Sequence, residues 1–387
     1  MPAHEIFGHL VDKGILIFCS VWMILLTFRK IGPKPGVNAK WEAWHARYGK
    51  TTKVASIFLL FFSLFRLLLD LFILPSVNAP QPTPHANTRT INAENLVQEQ
   101  GNDAHLSGQN NALAERSFIK AREGFETSVT ESDDRYLAPP EKPPEGVFQL
   151  VKYPSPIGEM HAYISPPPKE KGARLPMVIY KLGGFSNAIG DVAWEPSPAN
   201  NDQSGAQFRA AGLLMMYPSL RGAHDNPGQP EGLFGEVDDM LAAITYARTL
   251  DYVDPERVYL VGHSTGATLA LLTAAALPKG ALAEVIAYGP VTRVSLYGQD
   301  SVPFDINNRE ESSMRSPVDW LDDIAVKTTI IEGEFGNLDS AKHIDVITDN
   351  PFIEVRLLED KDHFEYLAEE NAQAAKRWAN SPNTTRQ

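Results

Sequence analysis

The sequence predicts an α/β fold in which a mostly parallel sheet is covered by helices on both faces. From Val147 onward, short apolar runs alternate with longer segments of helical spacing, a pattern typical of parallel sheets buried on both faces. The stretch Arg257–Leu277, reading RVYLVGHSTGATLALLTAAAL, shows this most clearly. There a buried-type strand meets a sharp turn and then a helix that stops at Pro278.

The individual elements follow from apolar runs and from the turn residues between them. Strands are expected at 147–152, 160–165, 177–180, 212–217, 258–261, 285–288, 328–332 and 353–358. Helices are expected at 235–250, at 365–379 and directly after the Gly-rich turn. The first two strands are separated by a turn at Pro154–Gly158.

The Gly-rich turn reads Gly262-His263-Ser264-Thr265-Gly266, a G-x-S-x-G pattern between strand and helix. Such a turn holds its serine at a strained corner, with the hydroxyl clear of the sheet and a helix N-terminus beneath it. Glycines flank the serine because the two backbones pass too closely for a Cβ. An ordinary Gly-rich turn is the alternative. The apolar strand before it and the uncharged helix after it favour a nucleophile at Ser264.

Charge and cysteine content exclude several classes of protein. The net charge is −13, and residues 1–74 hold nine Lys or Arg against four Asp or Glu, so the remainder carries −18. An acidic body of this kind disfavours nucleic acid as a partner. The single cysteine, Cys19, rules out an intrachain disulfide and a cysteine metal cluster. No metal-ligand spacing and no phosphate-binding loop occur, so we expect neither a metal nor a cofactor.

Two apolar stretches near the N-terminus, 14–28 and 54–74, are predicted to span a membrane. The second contains Arg66 and Asp70, which lie four residues apart and can pair on one helical face. A pair of amphipathic core helices is the alternative. The loop between the stretches is rich in Lys, Arg and Trp, which places it in the cytoplasm. Everything after Leu74 is then expected on the other side, periplasmic or extracellular.

The sequence divides into three regions. Residues 1–74 form the predicted membrane anchor, 75–145 a linker rich in Pro, Asn and Gln, and 146–387 the α/β domain. Within the linker, residues 111–126 have apolar side chains near helical spacing and are compatible with a short helix.

A serine nucleophile needs a base, an acid that orients the base, and N–H donors for the oxyanion. His363 lies directly after the last predicted strand, where this kind of sheet carries its catalytic residues, and it is the candidate base. The alternative is a surface histidine among acids. His161, His263 and His343 are placed less favourably, on an early strand, in the turn itself and in a helix-like stretch.

From about Tyr153 to the end, the chain resembles the catalytic domain of the prolyl oligopeptidase class of α/β-hydrolases. The resemblance is carried by Tyr153–Gly158, Arg221-Gly222, Glu236–Asp239, Val253–Val258, Ser316-Pro317 with Ile324, and Asp362-His363-Phe364. It implies Ser264 as nucleophile and His363 as base. It also implies an oxyanion hole formed by the N–H of Thr265 and an N–H in the Gly184-Phe185 turn.

The chain departs from the family pattern in three places. No β-propeller fits between Leu74 and Val147, and the usual His-Gly of the oxyanion loop is Leu182-Gly183, which alters the support of the loop. The family places its acid three residues after the glycine that ends the seventh strand. Here that glycine, Gly333, leads to another glycine. The acid is therefore open: we take Asp339 as the first candidate, with Glu334 and Asp300 as alternatives.

Two further features bear on the substrate. The segment 291–325 is the longest insertion near the expected site and is predicted to act as a lid that sets specificity. Arg221 could bind a substrate carboxylate, but an arginine in such a turn more often pairs with a nearby acid, and we favour that structural role.

The sequence therefore predicts a membrane-anchored serine hydrolase that acts on a small-molecule or peptide acyl substrate. An ester, thioester or amide would be cleaved through an acyl-enzyme on Ser264. The competing hypothesis is a catalytically inactive α/β-hydrolase fold that serves as an anchored binding module. It is motivated by the acid missing from its usual position and by the lost oxyanion-loop histidine.

Overall fold

The computed structural model describes residues 117–129 and 138–381, which form an eight-stranded sheet with helices on both faces. The strands are β1 (Gln149–Ser155), β2 (Gly158–Ile164), β3 (Leu175–Lys181), β4 (Leu214–Pro218), β5 (Val253–His263), β6 (Glu284–Tyr288), β7 (Thr328–Gly333) and β8 (Ile353–Leu358). The α-helices are α1 (Phe118–Arg122), α2 (Ala206–Ala210), α3 (Glu236–Thr249), α4 (Thr265–Ala276), α5 (Arg309–Ser313), α6 (Leu338–Ile347) and α7 (Leu367–Ala379). Single 3₁₀ turns lie at Asp191–Ala193, Ala199–Asn201, Val294–Tyr297, Gln299–Ser301, Pro317–Asp319 and Leu321–Asp323.

The strands lie in the order β1-β2-β4-β3-β5-β6-β7-β8. β1 and β2 form an antiparallel hairpin, β2 is antiparallel to β4, and the other pairs are parallel. The predicted strands, the predicted helices and the predicted mostly parallel sheet are confirmed, and this topology is the α/β-hydrolase fold. Because β3, β5, β6, β7 and β8 run the same way, the loops that follow them meet at one edge of the sheet.

Each face of the sheet has its own hydrophobic core. α3, α4 and α6 pack on one face, and α2 and α7 on the other. All twelve residues of α4 are buried, which explains why that helix carries no charged residue. On the opposite face, the indole of Trp378 stacks on Tyr259 with ring centroids 4.1 Å apart. Helix α4 begins directly after Ser264, where β5 ends.

Residues 117–129, which the sequence analysis assigned to the linker, pack against the α/β domain. Phe118 is fully buried, and its N–H donates to the carboxylate of Asp323 at 2.7 Å. Thr127 Oγ1 and the N–H of Ser128 donate to the two carboxylate oxygens of Glu311, at 2.9 Å and 2.6 Å. Asp323 and Glu311 belong to the predicted lid segment, so these residues fasten one side of it.

None of the helices in the described residues is both long enough and apolar enough to cross a membrane. The predicted spans at 14–28 and 54–74, the basic loop between them and most of the predicted linker lie outside the residues that the structure describes.

Candidate active site

Ser264 lies at the corner between β5 and α4, and its backbone is strained. Its φ of 54° and ψ of −119° fall in a region that residues with a side chain rarely adopt. A Cβ on Gly262 would lie 2.2 Å from the carbonyl oxygen of Gly266, and one on Gly266 would lie 2.4 Å from the carbonyl oxygen of Lys181. Both glycines are thus required by close backbone approach, as the sequence predicts. Ser264 N–H donates to the carbonyl of Tyr288 at 2.7 Å, which ties the corner to β6.

His363, in the loop between β8 and α7, is paired with a buried carboxylate. Its Nδ1 lies 2.9 Å from Oε2 of Glu332, whose side chain is 0% exposed. The same oxygen accepts the N–H of Asn337 at 2.7 Å, while Oε1 accepts the N–H of Gly333 at 2.7 Å and the hydroxyl of Tyr366 at 3.1 Å. A carboxylate only accepts, so Nδ1 carries the proton and Nε2 is the nitrogen left free to act as base.

This pairing corrects the predicted acid, because Glu332 holds the position expected for Asp339. Asp339 lies in the first turn of α6 and lines a cleft that Ser264 and His363 also line. Glu334 is exposed and accepts the N–H of Asp360 at 3.1 Å. Asp300 lies in a 3₁₀ turn on the edge of a different pocket. The acid that contacts the imidazole is Glu332, inside β7, which was not among the candidates predicted from the sequence.

Sequence reasoning missed Glu332 because it was counted as part of a strand and not as part of the loop after it. One signal was available. Every residue of β7 is buried, and a carboxylate in a buried strand costs several kcal/mol unless it is paired. A carboxylate that needs a partner in a buried strand is a candidate for a functional site. Gly289 leaves the space that the Glu332–His363 pair occupies. A Cβ there would lie 2.3 Å from His363 Cε1 and 2.6 Å from Glu332 Oε2.

His263, next to Ser264, connects the strand-to-helix corner to the loop that contains His363. The ring of His263 lies against that of His363, with centroids 4.7 Å apart, and its Nε2 donates to the carbonyl of His363 at 3.1 Å. Burial, with a smaller effect from the His363 ring, lowers the pKa of His263 to about 4, so it is neutral near pH 7. Its Nδ1 is buried without a hydrogen-bond partner among the described residues. His263 therefore packs between the strand-to-helix corner at Ser264, called the elbow from here on, and the loop that contains His363.

The predicted oxyanion residues lie beside Ser264. A Cβ on Gly183 would lie 3.1 Å from Ser264 Cβ, so the loop after β3 passes close to Ser264. Thr265 Oγ1 donates to the carbonyl of Gly184 at 2.6 Å. In a trans peptide, the N–H of Phe185 points in the direction opposite to that of the Gly184 carbonyl, so this N–H is directed away from the Thr265 hydroxyl. Across the described chain, the N–H groups of Thr265, Gly184 and Phe185 donate to no protein acceptor, which leaves them available for an oxyanion.

Two cavities adjoin the elbow. Ser264 and His363 line the same cleft of about 540 Å³, together with Val291, Leu296 and Tyr297 from the predicted lid. A pocket of about 510 Å³ adjoins Gly184, Phe185 and Thr265 on the oxyanion side, and residues 300–303 of the predicted lid also line it. The segment 291–325 thus borders both cavities, as its predicted role in specificity requires.

Arg221 is occupied by structural contacts. Its Nε and Nη2 bond both oxygens of Asp239 at 3.0 Å and 2.9 Å, and its Nη1 bonds Glu231 at 2.7 Å. With its side chain only 6% exposed, it holds the turn after β4 to α3. The structural role favoured by the sequence is the one observed.

Comparisons with known proteins show what this chain is similar to. The model of the Prolyl oligopeptidase family matches residues 208–333. The quorum-quenching protein AidA of Acinetobacter baumannii (strain MDR-ZJ06) is 39% identical over 89 residues, which cover 22% of this chain and 29% of AidA. The chain thus spans less than a third of the length of that curated relative.

Among solved structures, 2,6-dihydroxy-pseudo-oxynicotine hydrolase is 16% identical at a TM-score of 0.47, covering 61% of this chain and 68% of its own. The acylaminoacyl peptidase of Pyrococcus horikoshii is 16% identical at a TM-score of 0.46, covering 60% of this chain and 40% of its own. The match to the family model confirms the similarity, predicted from the sequence, to serine hydrolases of the prolyl-oligopeptidase-like α/β-hydrolase type.

Proposed function

We propose that this chain is a serine hydrolase that cleaves an ester, thioester or amide through an acyl-enzyme on Ser264. The observation that carries the proposal is the pairing of the buried Glu332 with His363, which lines the same cleft as Ser264. A buried carboxylate with four donors that holds an imidazole at a strained serine corner has the composition of a catalytic triad.

Each group has a defined role in the proposed reaction. His363 Nε2 takes the proton of Ser264 as Oγ attacks the substrate carbonyl carbon, and Glu332 keeps Nδ1 protonated and stabilises the imidazolium that forms. The N–H of Thr265 and one from the Gly184–Phe185 turn receive the negative oxygen, and a single such donor contributes about 10²–10³ in rate. His363 then returns the proton to the leaving group. Water, activated by the same imidazole, releases the acyl group from Ser264.

The alternative of an inactive binding module loses its main support. It was motivated by the absence of an acid after Gly333, and Glu332 now supplies a carboxylate from within the strand. The missing oxyanion-loop histidine is offset by two side-chain contacts, from Lys181 Nζ to the carbonyl of Ser186 at 2.9 Å and from Thr265 to the same loop.

Labelling with a fluorophosphonate probe tests the proposal. The full-length chain should take up the probe, with the adduct located on Ser264 by mass spectrometry, and Ser264→Ala should not react. Ser340 lines the same cleft, so Ser340→Ala is a matched control that should retain labelling. A folded protein that stays unlabelled at concentrations that saturate known serine hydrolases would show that the proposal is wrong.

We further propose that residues 14–28 and 54–74 anchor the hydrolase to a membrane, with the domain on the non-cytoplasmic side. Protease added to spheroplasts should then remove the domain, whereas a cytoplasmic marker should survive. Protection of both would reverse the proposed orientation.

The substrate is proposed to be a small acyl compound or short peptide. The name of the relative, quorum-quenching protein, supports the inclusion of small signal molecules in a substrate panel of graded esters and amides.

A further inference from the structure

A buried lysine lies next to the oxyanion loop. Lys181 is the last residue of β3, directly before Leu182-Gly183, and it is 6% exposed. Its Nζ donates to the carbonyl of Ser186 at 2.9 Å. An ammonium group has three donors, and within the described residues Nζ makes only this one hydrogen bond. A buried donor left without an acceptor is costly, so the remaining N–H groups need a partner from outside the protein.

Lys181 lines the pocket of about 510 Å³ that adjoins Gly184, Phe185 and Thr265. Most of the polar atoms around Lys181 already have hydrogen-bond partners within the protein. Asn187 uses both Nδ2 hydrogens, on the carbonyl of Arg221 at 2.9 Å and on Glu236 Oε1 at 3.0 Å. Ser186 Oγ accepts the N–H of Ala188 at 3.1 Å, which leaves its hydroxyl hydrogen as a donor. The pocket therefore offers unused donors, and a ligand that bears an acceptor fits it.

The charges of the pocket decide what kind of acceptor fits. Glu236 is 2% exposed and accepts the N–H groups of Glu231 at 2.8 Å and Leu233 at 3.0 Å in addition to Asn187. Burial lowers the pKa of Lys181 to about 8, and the negative charge of Glu236 partly offsets this. The exposed Asp300 adds a second acid at the pocket edge. One lysine against two carboxylates does not favour an anion, so a neutral acceptor is the better match.

We infer that this pocket is a substrate subsite in which Lys181 donates a hydrogen bond to a neutral carbonyl oxygen, a ketone or an amide, remote from the carbonyl that Ser264 attacks. The inference rests on the proposed hydrolase function, because it assigns the pocket to the substrate of that reaction. Its position supports this, since Gly184, Phe185 and Thr265 belong both to the pocket wall and to the proposed oxyanion hole.

Matched chromogenic esters test the inference. The substrates are p-nitrophenyl esters of one chain length in which a ketone replaces a single methylene at successive positions, with the plain acyl ester as reference. For the chain in its native form, kcat/KM should be higher for the best-placed ketone by roughly tenfold or more, the range expected for a hydrogen bond to a charged donor.

Lys181→Met keeps the apolar length of the side chain and removes the donor. It should abolish the preference for the ketone, whatever it does to the rate of the plain ester through the Ser186 contact. Lys171→Met makes the same chemical change at an exposed position and should keep the preference. Equal rates for all ketone positions in the native protein, or a preference that survives in Lys181→Met, would overturn the inference.

A binding measurement separates this inference from the proposed function. N-butyl amides of the same acids are titrated calorimetrically into Ser264→Ala, which cannot form an acyl-enzyme. The ketone amide should bind about tenfold more tightly than the plain amide, and Ser264→Ala/Lys181→Met should bind the two equally. If the native chain hydrolyses no ester while this difference is present, hydrolysis fails and the ketone site stands. If hydrolysis occurs and the difference is absent, the ketone site fails alone.

Discussion

Replacement of Glu332 by glutamine should disable the enzyme almost completely while the protein still folds. The substitution keeps the size of a side chain that is 0% exposed and changes one oxygen into an NH₂ group. Asp339→Asn and Glu334→Gln are the matched controls, because both acids lie near the same cleft and were candidates for the same role.

The size of the effect follows from the four hydrogen bonds that Glu332 accepts. If the new NH₂ takes the place of Oε2, it faces His363 Nδ1 at 2.9 Å, and the imidazole must present its lone pair there and carry its proton on Nε2. That tautomer cannot accept the proton of Ser264. Loss of an orienting acid in such a triad costs about 10⁴ in kcat.

The opposite rotamer of the glutamine also sets its NH₂ group against a backbone donor. The NH₂ group would then face the N–H of Gly333, whose nitrogen lies 2.7 Å from Oε1, and two donors would oppose each other in a buried site. An unsatisfied buried donor costs about 1–3 kcal/mol. The first arrangement carries the same cost, because it sets the NH₂ against the N–H of Asn337, whose nitrogen lies 2.7 Å from Oε2, so the variant should be less stable in either rotamer.

The assay is steady-state hydrolysis of a p-nitrophenyl ester over a range of pH, accompanied by thermal unfolding of each variant. Glu332→Gln should lose about four decades of kcat with a shift in Tm of a few degrees, and the two control variants should stay within roughly threefold of the native rate. Nearly native turnover in Glu332→Gln, together with a collapse in Asp339→Asn, would refute the assignment and restore the acid predicted from the sequence.

Three further predictions concern groups around the same pair. Thr265→Val removes the donor to the Gly184 carbonyl and should lower kcat about tenfold, whereas Thr265→Ser should keep most activity in the same assay; equal rates would show that the hydroxyl does not position the loop. Gly289→Ala places a Cβ 2.3 Å from His363 Cε1 at a φ of 63°, so kcat should fall at least a hundredfold, and native kinetics would contradict the close packing. His263 has a folded pKa of about 4, below its unfolded value of ~6.5, so its contribution to stability is present above pH 6.5 and is lost as pH falls toward 4, by about 3 kcal/mol in total. Denaturant unfolding at each pH should show a shallower loss for His263→Gln, which does not titrate, and parallel curves would exclude His263 as the cause.

The parts of the fold that the sequence predicts are those fixed by local pattern. The strands appear as apolar runs, and the elbow appears because Ser264 needs a glycine two residues away on either side. His363 was found because the loop after the last strand of such a sheet ends at the same edge as the elbow. In each case a rule about neighbours in the chain was sufficient.

The parts that were missed depend on contacts between residues far apart in the chain. Phe118 lies in the stretch 111–126, whose apolar spacing is compatible with a short helix, but nothing local indicates where that helix packs or that the N–H of Phe118 meets Asp323, 205 positions later. Glu332 was missed for a related reason. Its pairing with His363 spans 31 residues, and a spacing rule that counts from the end of a strand fails when the acid lies within the strand.

The position of Glu332 inside β7 also changes what the following loop is free to do. As a strand residue it is registered opposite Leu357 of β8, so its backbone is held by the sheet. When the acid of such a triad lies on a loop, a substitution in that loop can move the acid and, through its hydrogen bond, the histidine. Here the stretch from Glu334 to Asp339 does not carry the acid. Its Asn337 N–H donates to Glu332 Oε2 at 2.7 Å, and several of its other residues form part of the wall of the cleft that contains Ser264. Phe335, between the cleft-lining residues Glu334 and Gly336, is 68% exposed, and its side chain makes no contact with Glu332 or His363 among the described residues. Phe335→Ala should therefore leave kcat for small esters unchanged, whereas substitution of Gly336, where a Cβ would lie 2.4 Å from Glu332 Oε1, should lower it.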